Sequence, residues 1–406
     1  MCVKGGEAVA RFGDGLAVGP DLVAAADSAV AQARLPLDGP PDLVFVFVCA
    51  QSPDAVEQAA RRAMEVAGTP NVIGCGAPGV IGGNHGIEDS SAVSAWAARL
   101  PEARIEPFRL ETLKFPGEDP EAAQRLAVVG MPQTSDDDVV AVLLADPYSF
   151  PADAFVERSG EVLPGLPLVG GLATGQNGRG SARLFADGEI VDSGAVGVLL
   201  GGSVMTTTVV SQGARPVGPP MAVTRAEDNV LYELAGSPAL TKLEEVVADL
   251  PEKERELIES GLLIGVAMDE YAEDHDRGDF LVRGVIGADP DAGALATGDV
   301  IEVGRTVRFQ VRDAGAADED LTLLLGDLDL APVEGALLFS CTGRGRAMFP
   351  NSDHDVRLLR SVLGTSGIGG FFGAGEIGPV AGRNHVHGFT ASILAFGPGA
   401  GGRAAS

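Results

Sequence analysis

The sequence predicts an α/β protein of mixed α+β character: two domains of mixed β-sheets with helices on the outside. Two observations carry this. Short continuous apolar runs of strand length alternate with amphipathic segments of helix length, the pattern of strands covered on both faces. The order strand, helix, strand, glycine cluster, strand then recurs, which reads as an internal repeat. At 406 residues and 45% hydrophobic, the chain is long enough for two domains, each with its own core.

Asp21–Ala33 reads as a helix, with Asp21 as cap and Leu22, Ala25, Ala26, Ala29, Val30 and Ala33 on one face. Pro36 and Gly39-Pro40-Pro41 end it. Leu43–Cys49 is an apolar strand, and Pro53 opens the helix Ala55–Ala67. Asn71–Cys75 is a strand leading into the loop Gly74–Gly79. The second copy runs through Val139–Ala145, the helix Ala152–Ser159, and Leu168-Val169 into the loop Gly170–Gly175. The third runs through Ala336–Cys341, a helix around His354–Leu363, and Ile368 into Gly369-Gly370. A further strand follows each glycine cluster: Ala92–Ala97, Ala195–Leu200 and Phe389–Phe396. Cys49, Ala145 and Cys341 fall at equivalent places.

Between the second and third copies, Asp187-Gly188 marks a hairpin turn, and Gly201-Gly202 joins Val196–Leu200 to an antiparallel Val204–Val210. The prolines of Gly213–Pro220 set the boundary between a domain of residues 1–220 and one of 221–397. Leu240–Leu250 and Lys253–Ser260 read as helices; Leu262–Met268, Phe280–Ile286 and Thr306–Val311 read as strands. Ala314–Glu319 reads as an acidic turn before a helix at Leu321–Leu325. Residues 398–406 read as a disordered tail.

The formal net charge is −28, which repels polyphosphate and argues against a nucleic-acid partner or an anionic membrane surface. Four scattered cysteines, Cys2, Cys49, Cys75 and Cys341, fit neither a disulfide scaffold nor a structural zinc site. With no signal-peptide core and no run of eighteen apolar residues, a cytoplasmic protein without membrane insertion is expected. Neither a metal nor a cofactor is expected.

Candidate chemistry concentrates in Leu337–Ser392. Cys341 ends a strand, where ligands bind in open α/β sheets, beside Arg344 and Arg346, whose charge favours a thiolate. Gly343 and Gly345 flank Arg344 and allow close backbone approach. Gly375-Glu376-Ile377-Gly378 places one carboxylate in a glycine-rich loop, suited to a ligand ammonium or to Arg344. The competing reading of Cys341 is a small buried hydrophobe. His385 and His387 sit at i and i+2 on a strand, as half of a metal site or as a polar turn; His85 holds the comparable place in the first copy. The glycine clusters lack phosphate-loop spacing.

Cys341-Thr342-Gly343-Arg344-Gly345 and Gly370–Pro379 resemble the C-terminal half of the FIST domain. Asn71–Gly82 is similar to its N-terminal half, with Ala77-Pro78 and Val80 in place of the usual serine-threonine and acidic positions. The resemblance spans about residues 20–397. It implies a sensory protein for a small ligand such as an amino acid, acting in signal transduction through a protein partner, since no segment is left over for an output module. Carried over by position are Cys341, Gly343, Arg344, Gly375 and Glu376. The expected ligand site comprises these with Gly345, Cys75 and Gly76. Arg344 meets a carboxylate, Glu376 an amino group, and Cys341 lines the floor. Two alternatives stand: a thiol-dependent hydrolase or transferase using Cys341, Glu376 and His387, and an acidic protein-interaction scaffold.

Overall fold

A computed structural model describes residues 9–115, 125–259, 261–270, 278–330 and 332–398. The first eight residues, Cys2 among them, and all but the start of the expected tail lie outside them. The chain forms two compact units that are not consecutive in sequence. The first takes the chain up to Val210, then Thr322–Val386 and Thr390 onward; the second takes Ser211–Leu321 and His387–Phe389. A single linear cut near Pro220 does not express this interruption, which comes from the chain leaving the first unit and later returning.

The first unit contains three mixed sheets with one strand scheme. Leu43–Cys49 pairs parallel with Val72–Gly76 and antiparallel with Ala92–Arg99. Asp138–Ala145 stands in the same relation to Leu168–Leu172 and Ala195–Gly202, and Gly335–Cys341 to Gly367–Gly373 and Thr390–Phe396. Each sheet is extended by strands from elsewhere in the sequence. Gly79–Gly82 adds to Gly367–Gly373, Leu184–Ala186 to Val72–Gly76, and Glu376–Val380 to Leu168–Leu172. The sheets are therefore cross-linked by exchanged strands.

Their inner faces share one apolar core. Val44, Val46 and Val48 face one way and Phe45 and Phe47 the other, so the run is buried on both sides as its continuous hydrophobicity predicts. The inner core includes Phe12, Phe45, Phe47, Trp96, Phe339, Phe371 and Phe396. Trp96 lies 5.2 Å from Phe396, 5.5 Å from Phe12 and 5.9 Å from Phe45 between ring centroids. Its indole N–H donates to the Gly367 carbonyl at 3.0 Å, which satisfies the one polar atom of a fully buried ring.

Helices cover the outer faces. Leu22–Arg34 buries the six residues expected of it, and Asp21 Oδ1 accepts from Ala24 N at 3.0 Å as its cap. Pro53–Val66 begins with its proline where no N–H is needed. His354–Leu363 ends at Gly364, whose φ of 68° is the left-handed helix stop.

The second unit holds a closed antiparallel ring. Met221–Glu227, Val230–Leu234, Ala294–Thr297, Phe280–Asp289, Leu262–Ala267 and Thr306–Arg312 pair in that order, and the last pairs back to the first. Ile264, Leu295, Val307 and Phe309 fill it, with Val246 of the helix Ala239–Asp249.

Several expectations are corrected. The glycine clusters read as loops, yet strands run through them to Gly76, Leu172 and Gly373. A Cβ on Gly74, Gly170 or Gly370 would land on the carbonyl oxygen of Val46, Leu143 or Leu338, each on the parallel neighbour. What approaches closely there is protein backbone. Glu376 likewise begins a strand, Glu376–Val380, instead of sitting in a loop. Ala195–Gly202 pairs with Ala103–Phe115, while Thr206–Gln212 joins the sheet of Thr390–Phe396, so the expected hairpin through Gly201-Gly202 is absent. The acidic turn Ala314–Glu319 is the start of a helix, Ala314–Gly326, because Asp313 Oδ1 accepts from Ala316 N at 3.0 Å and opens it. The strand Arg11–Val18 escapes a reading by periodicity because Gly13 and Gly15 interrupt it; a Cβ on either would strike a carbonyl of the helix Leu22–Arg34.

Trp96→Ala should cost about 3–5 kcal/mol, the range for removing a large buried aromatic, and leave the Gly367 carbonyl without its donor. Urea unfolding followed by circular dichroism measures this; the protein has a single tryptophan, so its own fluorescence would be lost.

Candidate functional site

Cys341 closes the strand Gly335–Cys341 at its carboxyl end and is buried. The chain then turns tightly: the N–H groups of Arg344 and Gly345 donate to the Cys341 carbonyl at 2.8 and 3.3 Å. Thr342 N donates to the Gly373 carbonyl at 2.9 Å, which ties this turn to the turn Gly373–Gly375. The Gly375 carbonyl accepts from Leu172 N at 2.8 Å, and Ala374 N donates to the Leu172 carbonyl at 3.0 Å. Ends of strands from two sheets are thus held together by backbone hydrogen bonds.

Beneath the turn lies a buried polar network. The Arg344 guanidinium is fully buried, and its Nε donates to Asp355 Oδ2 at 2.7 Å. Ser340 Oγ donates to the same oxygen at 3.0 Å, and His354 Nδ1 lies 2.9 Å from Asp355 Oδ1. The His354 ring stacks on Phe349 with centroids 3.6 Å apart, and the Arg344 guanidinium lies 5.7 Å from the Phe349 centroid. Burial alone would raise the Asp355 carboxyl, but the Arg344 charge and the hydrogen bonds from His354 and Arg344 outweigh it and hold the group down to about 2. At least one guanidinium N–H is therefore committed to Asp355, which changes the role expected for Arg344: it anchors the turn to the helix His354–Leu363.

Glu376 is also fully buried. Its Oε2 accepts from Thr390 Oγ1 at 2.8 Å and Thr390 N at 3.2 Å. Oε1 is buried without a hydrogen bond of ordinary geometry. Burial raises this carboxyl to about 8; the Thr390 hydrogen bonds, the Cys341 thiol and the Arg344 charge oppose the rise without cancelling it. The thiol, carboxyl and guanidinium singled out in the sequence are therefore brought together.

The other expected residues divide. Gly345 is needed because a Cβ there would meet the Glu88 carboxylate, which accepts from Arg346 N at 2.9 Å and Ser352 Oγ at 2.5 Å. Gly343 is half-buried in the turn. Cys75 is a core residue whose thiol is pushed up by burial, away from the reactive form. Gly76 packs where a Cβ would contact Val56. His387 is buried and belongs to the second unit; the exposed His85 lies 3.3 Å from Asp353 Oδ2. Sequence reasoning missed Ser340, Asp355, His354, Thr390 and Glu88. Only His354-Asp355, at the start of an expected helix, carried any local signal. Among the described residues, no group of three or more His, Cys, Asp and Glu side chains could hold a metal ion, and no helix is long and apolar enough to cross a membrane.

Removing Asp355 should be severe: Asp355→Ala leaves the Arg344 charge buried without its counter-ion, a change that typically costs about 3–5 kcal/mol, read by denaturant unfolding. Glu376 predicts a specific pH dependence. Its folded value lies above the unfolded 4.5, so between about pH 4.5 and 8 the folded state binds more protons than the unfolded one. The stabilisation is full below pH 4.5 and is lost as pH rises through 8. Glu376→Gln should remove that decline, so the melting temperature of the variant relative to wild type rises across this window. Asp355 acts in the opposite sense and lower down, its stabilisation being lost as pH falls from 3.8 toward 2.

Comparison with known proteins gives a consistent family. The FIST N domain matches residues 42–237 and the FIST C domain residues 239–379. An uncharacterized protein of Mycobacterium tuberculosis is 43% identical over 396 residues, covering 95% of this chain and 99% of the relative. An uncharacterized protein of Mycobacterium bovis is 40% identical over 392 residues, covering 95% and 98%. The crystal structure of a cyanuric acid hydrolase from A. caulinodans aligns over 96% of this chain and 99% of that one, at 10% identity and a TM-score of 0.29, which carries no argument about function. With both domain models matched in order and relatives aligned nearly end to end, this chain belongs to the FIST family, whose domains are assigned a small-ligand sensory role in signal transduction.

Proposed function

We propose that this protein binds a small metabolite carrying an ammonium group at the Cys341–Glu376 cluster, and that binding is the input of a signalling response passed to a protein partner. The observation that supports it is Glu376 Oε1, an oxygen fully enclosed in the fold without an ordinary hydrogen bond. Buried polar atoms are normally satisfied, and one that is not invites a ligand donor. A ligand ammonium at Oε1 would convert a carboxyl that burial keeps protonated into a paired carboxylate. Cys341 and the turn Gly343–Gly345 would line the same space, and Arg344, held by Asp355, would fix the turn's shape. An amino acid fits this chemistry. Among the described residues, Cys49, Cys75 and Cys341 form no disulfide, which suits the reducing cytoplasm proposed as its location.

The test is a thermal-shift screen of amino acids, amines and small carboxylates on wild type, Glu376→Gln and Cys341→Ala. A ligand at a hundred times its Kd stabilises by about 2.7 kcal/mol, which raises the melting temperature of a protein this size by several degrees. An ammonium-bearing compound should give that shift in wild type and lose it in Glu376→Gln. Its affinity should also rise from pH 6 toward 8 as Glu376 becomes easier to ionise. Equal shifts in wild type and Glu376→Gln would sink the reading.

A further inference from the structure

A second candidate site lies in the first unit, and none of the residues lining it is among those named above for the ligand. A groove of about 720 Å³ opens among the strand Ala103–Phe115, the hairpin Leu184–Val191, and the loops that follow Asp138–Ala145 and Leu168–Leu172. That volume falls within the range of metabolite sites. Its place outside the carboxyl end of Asp138–Ala145, where a parallel and an antiparallel neighbour meet, is where open mixed sheets bind ligands.

The lining is unusual for this protein. In a chain with a net charge of −28, Arg109, Lys114, Arg179 and Arg183 all face this one groove. Two are fixed by acids: Arg183 Nε lies 2.7 Å from Glu57, and Arg109 pairs with Glu189. Arg179 and Lys114 have no ion-pair partner among the described residues. Glu57, Glu111 and Asp192 also line the groove, with Tyr148 and Thr112.

This mixture selects a ligand chemistry. Unpaired cations call for an anion, and a guanidinium grips a carboxylate with two parallel hydrogen bonds. Glu111 and Asp192 would repel a phosphate dianion more strongly than a singly charged carboxylate. Hydroxyl groups on such a ligand would donate hydrogen bonds to those carboxylates. We propose that this groove binds a small hydroxylated carboxylate, of the sugar-acid type, with its carboxylate on Arg179 and Lys114 and its hydroxyls toward Glu111 and Asp192. The inference does not depend on the ligand proposed for Glu376.

The test is isothermal calorimetry of the full chain with gluconate, glucose and inorganic phosphate at constant ionic strength. Gluconate should bind, and glucose and phosphate should bind at least tenfold more weakly. Arg179→Ala should weaken gluconate at least tenfold and Lys114→Ala several-fold; both side chains are exposed, so circular dichroism should show the fold intact. Glu376→Gln should leave gluconate binding unchanged, which separates this site from the other. Absence of gluconate binding overturns the proposal. So does phosphate binding as tightly as gluconate, which marks a plain cationic patch, or gluconate affinity that ignores both substitutions.

Discussion

The closest constraint in the first unit is backbone against backbone. In each of its three sheets one glycine, Gly74, Gly170 or Gly370, lies so near the parallel neighbouring strand that a Cβ would occupy the position of a carbonyl oxygen. No other residue fits without moving the strand. Because these strands carry their sheets to the ends where the loops of both candidate sites begin, the glycines set the positions from which the site residues project. The exchanged strands then bind the three sheets to one another, and one apolar core joins their inner faces.

On that frame the polar interior is arranged in two ways. Asp355 and Arg344 are charged and paired, with Ser340 and His354 completing the hydrogen bonding of the carboxylate. A pair of this kind adds little net stability, but it specifies one arrangement of the turn because breaking it is costly. Glu376 is treated differently. Its two hydrogen bonds from Thr390 fall on one oxygen, and burial makes the neutral acid the resting form. One carboxylate therefore holds the structure, while the other keeps one buried oxygen without an ordinary hydrogen bond.

The surface follows a separate logic. An excess of acids repels anions in general, so a groove that gathers four cations departs from the background. Cations that are already paired act as rigid walls, and the two that are not give the groove its preference for an anion.

The sequence by itself determined the elements whose signals are local. Leu43–Cys49 and His354–Leu363 form with the expected bounds, and the Asp21-capped helix buries the expected six residues, because periodicity, caps and proline placement act within a few residues. The family was legible for the same reason, in short motifs around Cys341 and Glu376. Tertiary structure alone decided the rest. Whether a glycine-rich segment is a loop or a strand depends on what lies against it, and Gly13, Gly15, Gly74 and Gly170 face backbone that is distant or unreadable in sequence. Asp355 and Thr390 become partners of Arg344 and Glu376 only when separate strand ends and a helix meet. The cationic groove likewise draws Lys114 and Arg183 from segments about seventy residues apart. Contact between separate segments is set by the packing of the whole core, and no window of sequence contains it.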